Sequence, residues 1–313
     1  MKGLILSESF FEEFGRPMLE SEFSDIMPYL CAGLLGSGSE CMGYDDEISE
    51  DHDFEPGFCI FLPGEDIIDR KEAFRLERAY AKLPKEYMGY KRSVMQPVGG
   101  ARHGVIRISD FLTEKTGTAD GMLSSEEWLH VPSESLAEVT NGKIFFDNYG
   151  EMTLKRDILG KYPSDIRLKK LAGRLLMMAE AGQYNYMRCL KHGEQAAAQM
   201  SVFEFTKHTI EAVILLNEKY MPYYKWSFRA LRELDRLSVT AELLEYLISS
   251  DNDENNAEEK IKVIEGIAAD IIDELNEQGI TKAVCMDLEK HAYSVNDMVG
   301  DLTLRNMHIL AAV

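Results

Sequence analysis

The residues best able to do chemistry lie between Gly38 and Asp53, in the segment GSECMGYDDEISEDHD. Asp51 and Asp53 are spaced i and i+2, and on an extended strand residues two apart point to the same side. Gly38 lets the backbone approach a ligand closely because it has no side chain, and Ser39 adds a hydroxyl donor. Mg²⁺ prefers a few carboxylates together with phosphate oxygens and water. The segment therefore predicts a site for Mg²⁺, or Mn²⁺, and a nucleoside triphosphate.

The acid-rich loop that holds these aspartates has simpler explanations as well. Seven acids lie between residues 45 and 55, and runs of acids are usually solvated surface loops. Such a cluster destabilises a fold unless a cation neutralises it, which favours a bound metal. The order of acids around a central glycine that marks an EF-hand calcium loop is absent from the sequence. A Mg²⁺ site and a solvated loop are the two explanations left.

The pattern GSxxxG from Gly38, followed by DHD from Asp51, resembles the signature of the DNA polymerase β superfamily of nucleotidyltransferases. Together with YMPYYKW downstream, it is similar to a bacterial family of unassigned function that joins such a core to a helical domain. The resemblance covers the chain to about residue 235. It implies transfer of a nucleoside monophosphate from an NTP, with ATP favoured, to a hydroxyl or similar acceptor. It also implies that Gly38 and Ser39 hold the triphosphate and that Asp51 and Asp53 bind Mg²⁺ as the catalytic pair.

Active members of this superfamily usually carry a third carboxylate on a neighbouring strand, which helps to activate the acceptor. The corresponding predicted strand, HGVIRIS over residues 103–109, contains no acid. Asp110 follows it directly, and Asp46 or Glu47 would be substitutes from the loop. The missing acid leaves an alternative function, that of a nucleotide-binding regulator with weakened catalysis. A second alternative is an interaction protein of the toxin–antitoxin type, in which the acidic loop is a surface feature.

A second group of candidate functional residues is YMPYYKW, which ends at Trp226 and follows a strongly apolar segment. Two aspartates and their metal ions do not by themselves offset the charge of a whole triphosphate, and lysine is a common partner of phosphate. We therefore predict that Lys225 binds the triphosphate. Tyr223 and Tyr224 either lie near the base or pack two helices together.

Several other polar residues have structural explanations. Arg174 and Arg188 are expected to form salt bridges between helices. His103 would be a general base in principle, although a single histidine at the start of a strand is more often structural. Ser124 and Glu127 have the spacing of a capping box, which is a signal for the start of a helix.

Composition restricts the partners and the compartment. The chain has 313 residues and a formal net charge of −20, and such a surface repels a long polyanion. We therefore expect a small-molecule or protein acceptor rather than extended nucleic acid. Five cysteines without a CxxC pair argue against a disulfide framework or a zinc site, and no apolar run is long enough to span a bilayer. These features predict a cytoplasmic protein without a membrane partner.

The hydrophobic pattern divides the chain into two parts. The first half alternates helices with short strands, which are predicted at residues 30–35, 54–63, 105–108 and 143–146. From residue 153 onward the apolar spacing is helical, apart from Asn252–Lys260, a polar stretch that is predicted to be a solvated loop. We therefore predict an α+β domain of the polymerase β-like type over residues 1–150. A helical bundle over residues 151–313 would follow, with the nucleotide bound in the cleft between the two.

Overall fold

The computed structural model describes residues 1–48, 54–92 and 103–313. It divides into two compact units. Unit 1 comprises Met1–Leu123 and Val131–Gly160, and unit 2 comprises Ser124–His130 and Lys161–Val313. The protein is a mixed α and β chain that is largely helical, which is compatible with the predicted α+β class. Every helix in the described ranges is too short or too polar to cross a bilayer.

The helices of the first half of the chain are short. They are α1 (Gly3–Phe10), α2 (Arg16–Glu22), α3 (Ser39–Met42), α4 (Arg70–Ala81), α5 (Ile108–Thr116), α6 (Ser125–His130, in unit 2), α7 (Ser133–Thr140) and α8 (Glu151–Ile158). The helix α4 shows why these segments become helical. Asp69 caps its first turn by accepting a hydrogen bond from the Glu72 backbone N–H at 2.8 Å, which satisfies one of the free amides there. Leu76 and Tyr80, four residues apart, are buried on one face.

One mixed sheet organises unit 1. The strands are β1 (Cys31–Leu34), β2 (Cys59–Leu62), β3 (Glu86–Tyr87), β4 (Tyr90–Lys91), β5 (Gly104–Arg107) and β6 (Lys143–Asp147). In the described residues the main sheet has the order β5-β2-β1-β6, while β3 and β4 form a separate hairpin. The strand β1 is antiparallel to β2 and β6, and β2 is parallel to β5.

The register of these strands brings four chain segments to one end of the sheet. Gly33 pairs with Cys59, Cys59 pairs with Gly104, and Leu34 pairs with Lys143. The strand β1 therefore ends where β2, β5 and β6 begin. We call this edge the turn end of the sheet, because the glycine turn that follows β1 leaves from it.

Both faces of the two central strands are covered. On one face, Ile60 and Leu62 join a core of large apolar residues from α1, α2, α4 and the chain next to α1, α2 and β2. This core includes Phe10, Phe11, Leu19, Phe23, Phe58, Leu76 and Tyr80. On the other face, the ring of Phe61 lies 5.4 Å from that of Phe111 in α5. Strands that are buried on both sides are apolar at every position, which explains the runs CAGL and CIFL. Burial of each large apolar side chain stabilises the fold by about 1.5–3 kcal/mol.

Unit 2 is helical. Besides α6 it contains α9 (Ser164–Met178), α10 (Met187–Lys191), α11 (Gln195–Leu216), α12 (Ser227–Arg232), α13 (Thr240–Ser249), α14 (Glu254–Glu277), α15 (Leu288–Asp297) and α16 (Leu302–Asn306). The helix α9 packs against α11 and α15. A π-helical segment, Ala179–Tyr186, continues α9 into α10. Within it, any side chain larger than hydrogen at Gly182 would overlap the ring of Phe205 in α11, so glycine permits the close contact of the two helices.

The prediction of a loop over Asn252–Lys260 is wrong from Glu254 onward. The helix α14 begins at Glu254, because the Asp253 carboxylate accepts a hydrogen bond from the Asn256 backbone N–H at 2.8 Å and caps the helix. Lys260, at the end of the polar stretch, is fully buried. A polar composition here marks the capped start of a long helix rather than a connector.

Two glycines with positive φ, Gly142 and Gly150, should differ in how much a substitution by alanine destabilises the fold. Gly142 and Gly150 have φ of +63° and +80°, but a Cβ at Gly142 would overlap the Leu34 carbonyl oxygen, whereas a Cβ at Gly150 would meet nothing within 4 Å. Alanine at Gly150 should lower the free energy of unfolding by about 1–2 kcal/mol through backbone strain alone. Alanine at Gly142 should lower it by about 2–5 kcal/mol, since steric overlap is added.

Chemical denaturation of the two variants, followed by circular dichroism, measures this difference. Equal losses for Gly142→Ala and Gly150→Ala would contradict the close approach of β1 and β6.

Candidate functional site

The chain leaves β1 through a turn in which two glycines have backbone angles that other residues rarely adopt. Gly36 has φ of +108° and Gly38 has φ of +128°. Ser39 then begins α3, which is a single helical turn. The structure therefore places Gly38 and Ser39 at the turn end of the sheet. Ser39 is half-buried, so part of this residue faces solvent.

A side chain from far along the chain holds this turn. The Asn141 amide forms two hydrogen bonds with one residue: its Oδ1 accepts from the Gly36 N–H at 3.0 Å, and its Nδ2 donates to the Gly36 carbonyl oxygen at 2.8 Å. The Gly142 N–H donates to the Cys41 carbonyl oxygen at 2.8 Å. Arg156 in turn donates from Nη2 to the carbonyl oxygens of Thr140 and Asn141 at 2.7 and 2.6 Å. We call these contacts the turn clamp.

The N-terminal residues hold the chain just after α3. The Gly3 backbone N–H donates to Asp45 Oδ2 at 2.7 Å. Lys2 donates from Nζ to the Gly43 carbonyl oxygen at 3.2 Å and forms an ion pair with Asp45 Oδ1 at 3.4 Å. Asp45 is only 3% exposed. Its carboxylate therefore fastens the upstream side of the acidic loop to α1.

The same helix also holds the chain downstream of the acidic loop. Ser7 in α1 donates from Oγ to the Gly57 carbonyl oxygen at 2.6 Å. The Tyr80 hydroxyl donates to the Phe58 carbonyl oxygen at 2.8 Å and accepts from the Phe58 N–H at 3.2 Å. Burial raises the pKa of this hydroxyl, so it stays a neutral donor. These contacts fix the backbone that leads into β2.

The strand β2 is shorter than the predicted strand over residues 54–63. It begins at Cys59, because Gly57 and Phe58 bond to side chains of α1 and α4 rather than to a full strand ladder. Asp51 and Asp53 lie outside the described residues, and their predicted roles as metal ligands and catalytic groups remain predictions. Among the residues that the structure does describe, no three His, Cys, Asp or Glu side chains converge as a metal site would require.

An acid–imidazole pair lies where β5 begins. His103 Nδ1 is 3.1 Å from Glu55 Oε1, and the histidine side chain is 9% exposed. A Cβ at Gly57 would lie 2.7 Å from His103 Cγ, so the imidazole packs directly on the Gly57 backbone. His103 precedes Gly104, the first residue of β5, and the pair is therefore close to the turn end. The sequence indicated His103 but not its partner.

The three acids proposed as a third carboxylate are all exposed. Asp110 lies in the first turn of α5 and is exposed. It follows Arg107, the last residue of β5, and therefore lies beyond the end of the sheet that is opposite the turn end. Asp46 is exposed, and its Oδ1 accepts a hydrogen bond from the Ile48 N–H at 3.1 Å. Glu47 is exposed as well.

Lys225 belongs to unit 2, in a short 3₁₀ turn before α12. It is exposed, and its Nζ lies 4.8 Å from the centre of the Trp226 ring. Tyr223 and Tyr224 are 47% and 73% exposed, so they do not serve mainly to pack two helices together. The half-buried Tyr220 does pack internally, with its ring 4.8 Å from that of the buried Tyr162.

Two of the structural explanations for other residues are confirmed. Arg174 joins two helices, since its Nε lies 2.5 Å from Glu211 Oε2 in α11. The capping box is present as well: the Ser124 N–H donates to Glu127 Oε2 at 2.7 Å, and the Glu127 N–H donates to Ser124 Oγ at 3.3 Å. Arg188 differs from its prediction, because its guanidinium lies over a tyrosine ring at 4.8 Å.

A family model described as a domain of unknown function, DUF4037, matches residues 128–227. The matched segment contains Asn141 and Arg156 of the turn clamp as well as Lys225, whereas Gly38 and Ser39 lie before it. No curated protein and no solved structure matches the chain.

The turn clamp predicts a local loss of protection in Asn141→Ala. The change leaves the Gly36 N–H and carbonyl without their partner, which should lower the free energy of unfolding by about 1–3 kcal/mol. The Gly36 amide should also exchange with solvent at least about 10-fold faster, as measured by native-state hydrogen exchange.

A matched control is Asn148→Ala. The Asn148 Nδ2 donates an exposed hydrogen bond to the Met27 carbonyl oxygen at 3.0 Å. The control should leave exchange at Gly36 unchanged. Unaltered protection of Gly36 in Asn141→Ala would contradict the clamp.

Proposed function

We propose that the protein is a Mg²⁺-dependent nucleotidyltransferase with a polymerase β-like core in unit 1. It would transfer a nucleoside monophosphate from an NTP, with ATP favoured, to a hydroxyl or similar group on a small molecule or protein. One observation carries the proposal. The turn with Gly38 and Ser39 lies at the same end of the sheet at which β2 begins, and β2 is the strand that follows Asp51 and Asp53 in the sequence.

The described residues at the turn end suit phosphate binding. The backbone of a turn with Gly36 and Gly38 at positive φ lets a ligand approach without meeting a side chain. The Ser39 hydroxyl would donate to a phosphate oxygen. Because the turn clamp already holds this backbone, binding would require little rearrangement, and preorganised donors stabilise charge most effectively.

The proposed metal site uses Asp51 and Asp53, whose chemistry suits Mg²⁺. When bound, Mg²⁺ would neutralise charge that develops on the transferred phosphoryl group. The residues on either side of this segment are fastened to α1 through Asp45 and Gly57. A fixed frame on both sides supports a role in positioning charged groups.

The acceptor needs a group that takes its proton, and β5 carries no carboxylate. We propose His103 for this role. If its Nδ1–H donates to Glu55, its Nε2 is left as the acceptor. Glu55 would then orient the imidazole toward the acceptor.

A second candidate function is nucleotide binding without turnover. The observation that favours it is the composition of β5, which contains no acid, together with the position of Asp110 beyond the opposite end of the strand. A protein of this kind would bind an NTP with Mg²⁺ and would release no pyrophosphate.

The proposed activity predicts graded losses in three variants. Asp51→Asn and Asp53→Asn should each lower the rate of pyrophosphate release by about 10²- to 10³-fold, since a lost metal ligand removes several kcal/mol of transition-state stabilisation. Ser39→Ala should weaken NTP binding by about 10- to 100-fold, through loss of one hydrogen bond to a charged group. The measurements are pyrophosphate release with each NTP, Mg²⁺ or Mn²⁺ and a panel of acceptors, and calorimetry for binding.

The control is Asp25→Asn, which changes an acid of unit 1 whose side chain is 69% exposed and should leave both quantities unchanged. Lys225→Met tests the predicted triphosphate contact of unit 2 separately. NTP binding without pyrophosphate release by the parent protein would favour the second candidate. Binding that is the same in the parent, Asp51→Asn and Asp53→Asn would contradict both.

A further inference from the structure

Unit 2 buries three lysine side chains. Lys169, Lys170 and Lys260 are 0%, 9% and 0% exposed. An ammonium group has three N–H donors and a full positive charge. Removing such a group from water is unfavourable unless acceptors replace the lost hydration. The number of acceptors around each Nζ therefore shows whether the fold alone satisfies the charge.

Two of these lysines have a full set of acceptors. Lys169 Nζ donates to Asn296 Oδ1 and to the Met307 carbonyl oxygen, each at 2.8 Å, and lies 3.5 Å from the Arg305 carbonyl oxygen. Three oxygens likewise surround Lys260 Nζ, at 2.7–3.1 Å: the Ser250 carbonyl oxygen, Asn252 Oδ1 and Gln199 Oε1. Both lysines are satisfied by the protein itself and need no ligand.

Lys170 is different. In the described part of the chain its Nζ has one oxygen acceptor, the Leu129 carbonyl at 2.6 Å. Its other neighbour is the face of the Tyr162 ring, whose centre is 5.4 Å away. Within the same residues it forms no ion pair with a carboxylate. Two N–H donors of a buried cation are thus without a protein acceptor.

A second cation lies one helical turn further along α9. Arg174 pairs with Glu211 through Nε, at 2.5 Å, and approaches His208 Nδ1 with Nη1 at 3.3 Å. His208 adds no charge, because burial first, and then Arg174 and Lys207, lower its pKa to about 3. The Nη2 donors of Arg174 have no acceptor in the described residues. Glu211 pairs directly with Arg174, and its charge also acts on Lys170. One carboxylate therefore offsets two cations on α9, which leaves a net positive charge.

We propose that Lys170 and Arg174 bind a phosphate-type oxyanion in unit 2. The two side chains offer at least four unused N–H donors, which exceeds the two oxygens of a carboxylate and suits the several oxygens of a phosphate. A bound phosphate would supply both the missing acceptors and the missing negative charge. The source would be free phosphate or the phosphate group of a larger compound. This inference uses residues of unit 2 only and does not depend on the proposed activity.

Ionisation of Lys170 is compatible with this role. Burial, and next the charge of Arg174, lower the pKa of Lys170 to about 8, against an opposing effect of Glu211. The side chain thus remains mostly charged at neutral pH, and a bound anion would stabilise this charge. A bound phosphate would raise this pKa, because it stabilises the charged form.

The test is calorimetry on the full chain with inorganic phosphate, pyrophosphate, AMP and acetate. The buffer contains EDTA, and the variant Asp51→Asn/Asp53→Asn is measured in parallel, so that a metal-dependent site in unit 1 does not contribute. We expect phosphate or a phosphate ester to bind and acetate not to bind. Lys170→Met should weaken binding by at least about 10-fold. Lys191→Met, which changes an exposed lysine of α10, should have no effect.

The choice of ligands shows whether the protein binds free phosphate or the phosphate group of a larger compound. Tighter binding of AMP than of inorganic phosphate indicates the larger compound. The proposal is overturned if no phosphate compound binds, if acetate binds as well as phosphate, or if Lys170→Met binds like the parent. In each case solvent alone satisfies Lys170. Should Lys170→Met fail to fold, nuclear magnetic resonance of ¹³C-labelled lysine in the parent gives the answer. Added phosphate should raise the pKa of Lys170, and an unchanged pKa overturns the proposal.

Discussion

One side-chain amide holds the turn that follows β1 in unit 1, because it makes the backbone hydrogen bonds that a neighbouring strand would otherwise make. After β1 ends at Leu34, the chain turns through Gly36 and Gly38, which both have positive φ. Asn141 provides both a donor and an acceptor to Gly36 from 105 residues further along the chain. Buried backbone groups need such partners. The position of the turn is therefore fixed by a contact between segments that meet only in the folded protein.

The helix α1 extends this constraint to the acidic loop. Its N-terminal residues bind Asp45, and Ser7 one turn later binds Gly57. A single helix thus holds the chain on both sides of the segment that carries Asp51 and Asp53. The chain is therefore fixed at Asp45 and at Gly57, on either side of the acid-rich stretch. A loop with no role beyond solubility requires no such fastening, and the frame is the physical basis of the proposed nucleotidyltransferase site.

The three buried lysines of unit 2 follow the same rule, and two of them have a full set of acceptors. Lys169 and Lys260 are each surrounded by oxygens of the protein, and they serve to join helices. Lys170 occupies the position next to Lys169 on α9 but faces an aromatic ring and a single carbonyl. Two adjacent residues of the same type therefore have different roles, which depend on the acceptors that neighbouring helices bring to each. This difference is what makes Lys170 informative about a ligand.

The amino-acid sequence alone determined the mixed composition of helix and strand, the helical second half and the order of the glycine turn before the acids, because apolar spacing and turn residues act locally. It also determined local caps such as Ser124 with Glu127. It did not determine the start of α14, where a polar stretch conceals the Asp253 cap. Nor did it show the place of Asp110 beyond the far end of β5, the pairing of His103 with Glu55, or the roles of Asn141 and Lys170. Only the tertiary structure decided these, since each depends on strand register or on a hydrogen-bond partner that is distant in sequence, and neither leaves a periodic signal.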